Sequence, residues 1–211
     1  MKMGLSVKFS TILTKKYISH VHTTYTDGEN SIEEYCAWAY NNAFDVLVFS
    51  DHVRKELSYD FNEYVRDIKK AGQLFPSLEL WAGAEAKVTE DGSLDIPEDV
   101  ISKTDVLFFA CHSFPNDPVL YKSAFSKAFQ DKKWKNHVRV WAHPGLFFKT
   151  WNLVDSGNIL GDLINLAKSE GIFIEKNLRY NLPHDKMFST LDPSQKIIGY
   201  DAHSLESLHS Q

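Results

Sequence analysis

Short apolar runs rich in β-forming residues recur seven times along this chain, separated by stretches with helical periodicity. That alternation limits the fold more than any other feature. The runs cover residues 16–19, 45–50, 78–85, 105–110, 138–142, 172–175 and 197–200. Between the first two, Ser31 and Glu34 have the spacing of a capping box, and Ile32, Tyr35, Cys36, Ala39 and Ala43 recur on one helical face. After Asp60, the residues Phe61, Tyr64, Val65 and Ile68 repeat the pattern, and Asp117-Pro118 reads as a cap followed by a first-turn proline. Ile159, Leu160, Leu163, Ile164 and Ala167 form another apolar face, stopped by Gly171. Seven β units of this kind make an α/β chain, either a closed parallel barrel or an open doubly wound sheet. Both gather functional groups at the carboxyl ends of the strands. No glycine-rich phosphate loop follows any run, so dinucleotide and P-loop readings lose their main support.

The strand ends carry an unusual set of side chains. The first run ends in His20-Val21-His22, with Asp27-Gly28 five residues on; alternation places both imidazoles on one side of an extended chain. The second ends in Ser50-Asp51-His52, the third in Glu85, the fourth in Cys111-His112, the fifth in His143-Pro144-Gly145 and the last in Asp201-Ala202-His203. Six of the nine histidines therefore sit where α/β sites are built. Crowding so many imidazoles and carboxylates together without a cation would leave unpaired polar groups and repelling charges. Divalent metal ions resolve that conflict, because neutral imidazole and carboxylate are among their preferred ligands. His137, His184 and His209 read as surface residues, and Cys111 as a buried, inert thiol.

Taken in order from His20 to His203, these motifs resemble the PHP (polymerase and histidinol phosphatase) family. The resemblance implies a distorted (β/α)7 barrel with a metal site at the C-terminal ends of the strands. It also implies one domain over 1–211, with 1–15 as a short lead-in. By that analogy His20, His22 and Asp201 hold a first ion, and His112 and His143 a second, with Glu85 bridging them; Asp27, His52 and His203 hold a third. Two or three divalent ions are expected, with zinc, manganese and iron all compatible with such ligands. Tyr200 stands before Asp201 where a small residue is usual, and Cys111 precedes His112; both are expected to point away from the ligands.

Such a centre suits hydrolysis of a phosphate monoester by in-line attack of metal-bound hydroxide. Glu85 and Asp201 would act through the metals, and Asp51 would orient an imidazole or serve as an acid, the plainer alternative being a turn carboxylate bonded to backbone. Arg54, Lys149 and Arg179 lie shortly after strand ends and could grip phosphate, Arg179 foremost. Glu175 and Asn177 share one strand face by alternation and both would line the pocket. The expected partner is a small phosphorylated molecule, such as histidinol phosphate or a related metabolite. Alternatives are a nucleotide or short oligonucleotide processed as by an exonuclease, and a metal-binding accessory module without turnover.

Composition bears on partners. With 23 Lys+Arg and 28 Asp+Glu the net charge is −5, which argues against extensive duplex nucleic-acid binding. Three divalent ions would add six positive charges and bring −5 to +1, concentrated at one mouth. No apolar run approaches the roughly 18 residues of a membrane helix, and two cysteines are read as reduced thiols of a cytoplasmic chain. The first 26 residues contain Lys2, Lys8, Lys15 and Lys16 but no acid. They lack the arginines of a transit peptide and the apolar core of a signal peptide.

Overall fold

The computed structural model describes residues 3–209; Lys2 and the outer ends of the 1–211 span lie outside the described residues. The elements in chain order are α1 (Met3–Ile12), β1 (Tyr17–Val21), α2 (Ile32–Asn41), β2 (Val46–Phe49), β3 (His52–Val53), α3 (Phe61–Leu74), β4 (Glu79–Lys87), α4 (Glu98–Ile101) and β5 (Val106–Ala110). There follow α5 (Pro118–Gln130), β6 (Val138–Trp141), α6 (Leu146–Thr150), α7 (Ile159–Ser169), β7 (Phe173–Asn177), α8 (Asp185–Ser189), β8 (Lys196–Gly199) and α9 (Leu205–His209). Every ladder between these strands is parallel, in the order β1-β2-β4-β5-β6-β7-β8, with β3 also pairing β4. Beyond β8 the chain returns to β1: the Tyr200 N–H donates to the Ser19 carbonyl at 2.8 Å and the His22 N–H to the Ala202 carbonyl at 2.9 Å. The sheet is thus closed into the distorted barrel, with β2 and the two-residue β3 together occupying one of seven staves.

Alternation divides each strand between two cores. Inward residues such as Val46, Val48, Val106, Phe108 and Val140 fill the barrel, whereas Leu47, Phe49, Leu107, Phe109 and Trp141 pack outward under the helices. The helix signals hold as read. Ser31 Oγ accepts from the Glu34 N–H and Glu34 returns a bond to the Ser31 N–H at 2.7 Å. Asp60 and Asp117 cap α3 and α5, and Gly171, at φ 67°, follows α7. Ala43 differs: it is exposed in the turn after α2, because the helix stops at Asn41.

The stretch expected to be a lead-in contains α1. Phe9 and Ile12 are fully buried and close the N-terminal end of the barrel, with Phe9 edge-on to Trp81 and Phe173, each 5.2 Å away. A plug at that end leaves the opposite, C-terminal end as the open one.

Candidate metal centre

The open end of the barrel is shaped by breaks in strand regularity. Ile18 faces the helices, so strict alternation would turn His20 and His22 outward as well. Instead β1 carries a bulge between Ser19 and Val21, with His20 in the left-handed region at φ 64°. The extra residue turns both imidazoles inward, their ring centroids 5.2 Å apart, with the His20 ring 5.0 Å from that of Phe108. The shared side follows from the sequence, but the bulge rather than an extended chain makes it the inner one. His143 (φ 35°) and Asp201 (φ 52°) also adopt left-handed backbone, uncommon for such residues and typical of strained functional positions.

The nine side chains named from the sequence converge, the other eight gathering around Glu85. Its Oε1 lies 2.9 Å from His143 Nε2, 3.0 Å from His112 Nε2 and 3.4 Å from His20 Nε2. Its Oε2 lies 2.7 Å from His52 Nδ1 and 3.7 Å from His22 Nε2. Asp201 Oδ1 stands 3.7 Å from His22 Nε2 and 3.5 Å from His203 Nδ1. Asp27 Oδ2 is 3.3 Å from both His52 Nε2 and His203 Nε2. The floor is sealed, with His20, His22, Glu85, His143 and Asp201 buried; the rim of Asp27, His52, His112 and His203 meets solvent. The arrangement is a bowl.

Four groupings have ligand atoms close enough together to share an ion: His22, Asp27, His52 and His203; His20, His143 and Asp201; His20, His22 and Glu85; and His52, Glu85 and His112. The rim trio of Asp27, His52 and His203 keeps company with His22. His112 and His143 meet at the same Glu85 oxygen rather than in one of the four groups.

The donor set fits divalent metal. His20 Nε2 and both ring nitrogens of His22 are buried and lack hydrogen-bond partners, a costly condition that a shared cation removes. Burial, followed by the neighbouring His20, His52 and His203, holds the His22 imidazole well below its usual range despite Glu85, so it stays neutral as a ligand must be. Burial alone would raise the Glu85 carboxyl, but His112 and His20 around it keep it well below the usual carboxylate range. Asp201 is lowered as well: burial and Glu85 push it up, but His20, His143 and the Asn177 hydrogen bond together prevail.

A second layer holds the bowl in shape. Glu175, fully buried on β7, accepts from His20 Nδ1 at 2.6 Å through Oε1 and from the His143 N–H at 2.6 Å through Oε2. The proton on Nδ1 leaves His20 Nε2 free to face Glu85. A Cβ at Gly199 would sit 1.8 Å from Glu175 Oε1, so glycine there makes room for the carboxylate. Gly28 is required similarly, since a Cβ would lie 2.2 Å from the His22 carbonyl oxygen. Gly199 and the bonding role of Glu175 escape sequence reading, because both follow from the packing of β7 against β8 rather than from any motif.

Two expected roles change. Asp51 is fully buried and its carboxylate accepts from the Thr23 N–H and from the Thr23 and Thr26 hydroxyls at 2.7–3.0 Å. With both oxygens engaged it pins the 23–27 loop that carries Asp27, as the plainer alternative has it. Asn177 is also fully buried: its Nδ2 donates to Asp201 Oδ2 at 3.1 Å and to Glu175 Oε2 at 3.2 Å, and its Oδ1 accepts from the Tyr180 N–H. It positions Asp201 instead of lining the pocket. Arg179 does reach the bowl, its Nη1 lying 2.9 Å from His203 Nδ1 and 3.4 Å from Asp201 Oδ1. Arg54 stays on the rim beside His52, donating to the Val53 carbonyl at 2.6 Å. Lys149 turns to the Tyr180 carbonyl at 3.1 Å. Tyr200 and Cys111 pack into the outer core, away from the ligand-type groups.

Known proteins agree with this architecture. A family model described as PHP domain matches residues 19–178. The DNA polymerase/3'-5' exonuclease PolX of Bacillus subtilis (strain 168) is 23% identical over 209 residues, covering 90% of this chain and 34% of that protein. A probable phosphatase of Thermoanaerobacter sp. (strain X514) is 24% identical over 129 residues, 60% of this chain and 53% of that one. The chain thus spans between a third and about half of the curated relatives it matches. Among solved structures, histidinol phosphate phosphatase from Lactococcus lactis subsp. lactis Il1403, complexed with zinc, L-histidinol and phosphate, superposes with a TM-score of 0.61 at 15% identity. That match covers 92% of this chain and 90% of the other. With the barrel, the bowl at its C-terminal end and a family match over most of its length, the chain belongs to the PHP domain family.

Proposed function

We propose that this chain hydrolyses a phosphate monoester of a small molecule, using divalent ions held by His20, His22, Asp27, His52, Glu85, His112, His143, Asp201 and His203. One observation carries the reading: eight ligand-type side chains gather with the buried Glu85 at the open end of a closed barrel, where His20 Nε2 and both ring nitrogens of His22 are buried without a hydrogen-bond partner. Divalent ions, when bound, supply Lewis acidity toward phosphoryl oxygens and a water of lowered pKa. The chain's own residues do the remainder. Glu85 offers one oxygen to each half of the bowl, Glu175 keeps His20 in the tautomer that faces inward, and Asn177 fixes the rotamer of Asp201. Arg179, half-exposed at the mouth, is placed to take a phosphoryl oxygen in exchange for its contacts with His203 and Asp201. Histidinol phosphate or a related metabolite suits this reading, since the solved neighbour carries L-histidinol and phosphate.

A second reading, removal of nucleotides from a 3' end, is favoured by the relationship with PolX over 90% of the chain. Elemental analysis of the purified protein, joined to a screen of monoesters, diesters and short oligonucleotides, separates the two. Phosphate release from monoesters alone is the expected result. Shortening of oligonucleotides promotes the second reading, and full metal occupancy without hydrolysis of anything leaves a metal-binding accessory module.

A further inference from the structure

Beside the bowl lies a cavity of about 680 Å³, within the usual range of small-molecule sites. It begins at Pro144 and Gly145, directly after His143, and Tyr180 lines it on the side that meets His143. The Tyr180 ring stands edge-on to His143, 5.9 Å between centroids, flanked by Arg179 and Lys149, each 5.5 Å from the ring. The remaining walls are mostly apolar, from Phe148, Leu153, Leu160, Leu182 and Met187.

Three of the polar groups along those walls are engaged already, while the exposed Asn152 and His184 side chains and the Tyr180 hydroxyl stand at the rim. The Asp155 carboxylate accepts from the Ile159 and Leu160 N–H groups at 2.7 and 2.8 Å. Asn181 Oδ1 accepts from Lys176 Nζ at 2.6 Å, and Lys149 Nζ donates to the Tyr180 carbonyl. Against Phe148, Leu160, Leu182 and Met187 a hydroxyl would be buried unpaired, whereas an apolar body would lose nothing.

We infer that this cavity receives the alcohol portion of the phosphate ester, and that it selects an apolar or aromatic alcohol over a polyhydroxylated one. The inference rests on the phosphomonoesterase reading and extends it to a substrate class. Phosphate at the bowl and an organic group in the cavity are one aromatic side chain apart, so an ester linking them passes the edge of Tyr180. Tyr180 then acts as a specificity residue.

The test uses the metal-loaded protein with 1-naphthyl phosphate and hexyl phosphate against glycerol 1-phosphate and glucose 6-phosphate. The first pair is expected to exceed the second at least about tenfold in kcat/KM, by burial of apolar surface. Met187→Gln is expected to narrow that ratio to below about threefold, whereas a loss of packing alone would lower all four substrates together. Equal kcat/KM across the four esters, or a preference for the sugar phosphate, overturns the inference. If none of the four releases phosphate, the phosphatase reading fails on its own, and the cavity is tested by binding. Naphthalen-1-ylmethylphosphonate should shift the methyl resonances of Leu160, Leu182 and Met187; binding that leaves these methyls unmoved, or no binding at millimolar ligand, overturns the cavity assignment.

Discussion

Glu175→Gln removes one charge and almost no volume from a position that touches no solvent. In the native protein the carboxylate accepts at both oxygens, from His20 Nδ1 at 2.6 Å and from the His143 N–H at 2.6 Å. An amide can satisfy only one of them. If its oxygen faces the His143 N–H, its NH2 faces His20, and the imidazole must move its proton to Nε2, the atom 3.4 Å from Glu85 Oε1. If the amide is reversed, two N–H groups oppose each other at His143. Either way His20 ligates less well. Loss of such a supporting contact typically weakens metal affinity about 10- to 100-fold, which is about 1.4–2.7 kcal/mol. Competition with a chelating indicator measures this directly, with circular dichroism to check that the fold is kept. A variant that folds and holds metal within threefold of the wild type would refute the reasoning, because Glu175 would then be a packing residue and not the group that sets the His20 tautomer.

Gly199→Ala places a methyl where Glu175 Oε1 now lies and should cost about 1–3 kcal/mol, read as a fall in melting temperature. It should lower metal affinity as well, and a fully stable variant would mean β8 yields more easily than its ladder with β7 suggests. Phe9→Ala opens the plugged end of the barrel and should cost about 3–5 kcal/mol in denaturant unfolding, and retention of full stability would show that α1 packs loosely. Cys36 and Cys111, whose thiols burial pushes up to about 12, should resist iodoacetamide at neutral pH in the folded protein and react in urea. Rapid labelling of either in the native state would contradict that burial.

The fold was largely legible because each of its seven staves announces itself as an apolar run bounded by turn or helix signals, with boundaries shifted by one or two residues. Two features were not. Helix α1 bears no capping signal and resembles a basic leader, and only the shape of the barrel end shows where Phe9 and Ile12 go. The bulge at His20 depends on which face of β1 the outer helices claim, a tertiary choice that overrides simple alternation. Within the site, the nine ligand-type residues could be named because each lies near or shortly after the carboxyl end of a strand. The bracing bonds of Asp51 and Asn177 were not legible for a physical reason: a polar residue near a strand end looks the same in sequence whether it faces a ligand or braces a neighbour. Only the count of engaged hydrogen-bonding atoms separates the two cases.

The claim that matters most is that the bowl holds metal through Glu85 as a shared ligand. Crystals of the protein grown with zinc, with anomalous scattering collected on both sides of the zinc edge, test it at the atoms themselves. Two or three peaks are expected within bonding distance of the nine side chains, about 2.0–2.2 Å from their nitrogen and oxygen atoms, with Glu85 touching two of them. Glu85→Gln should empty or weaken two sites together. A bowl without any anomalous peak at saturating zinc, or a Glu85→Gln crystal with every site still full, would contradict the account.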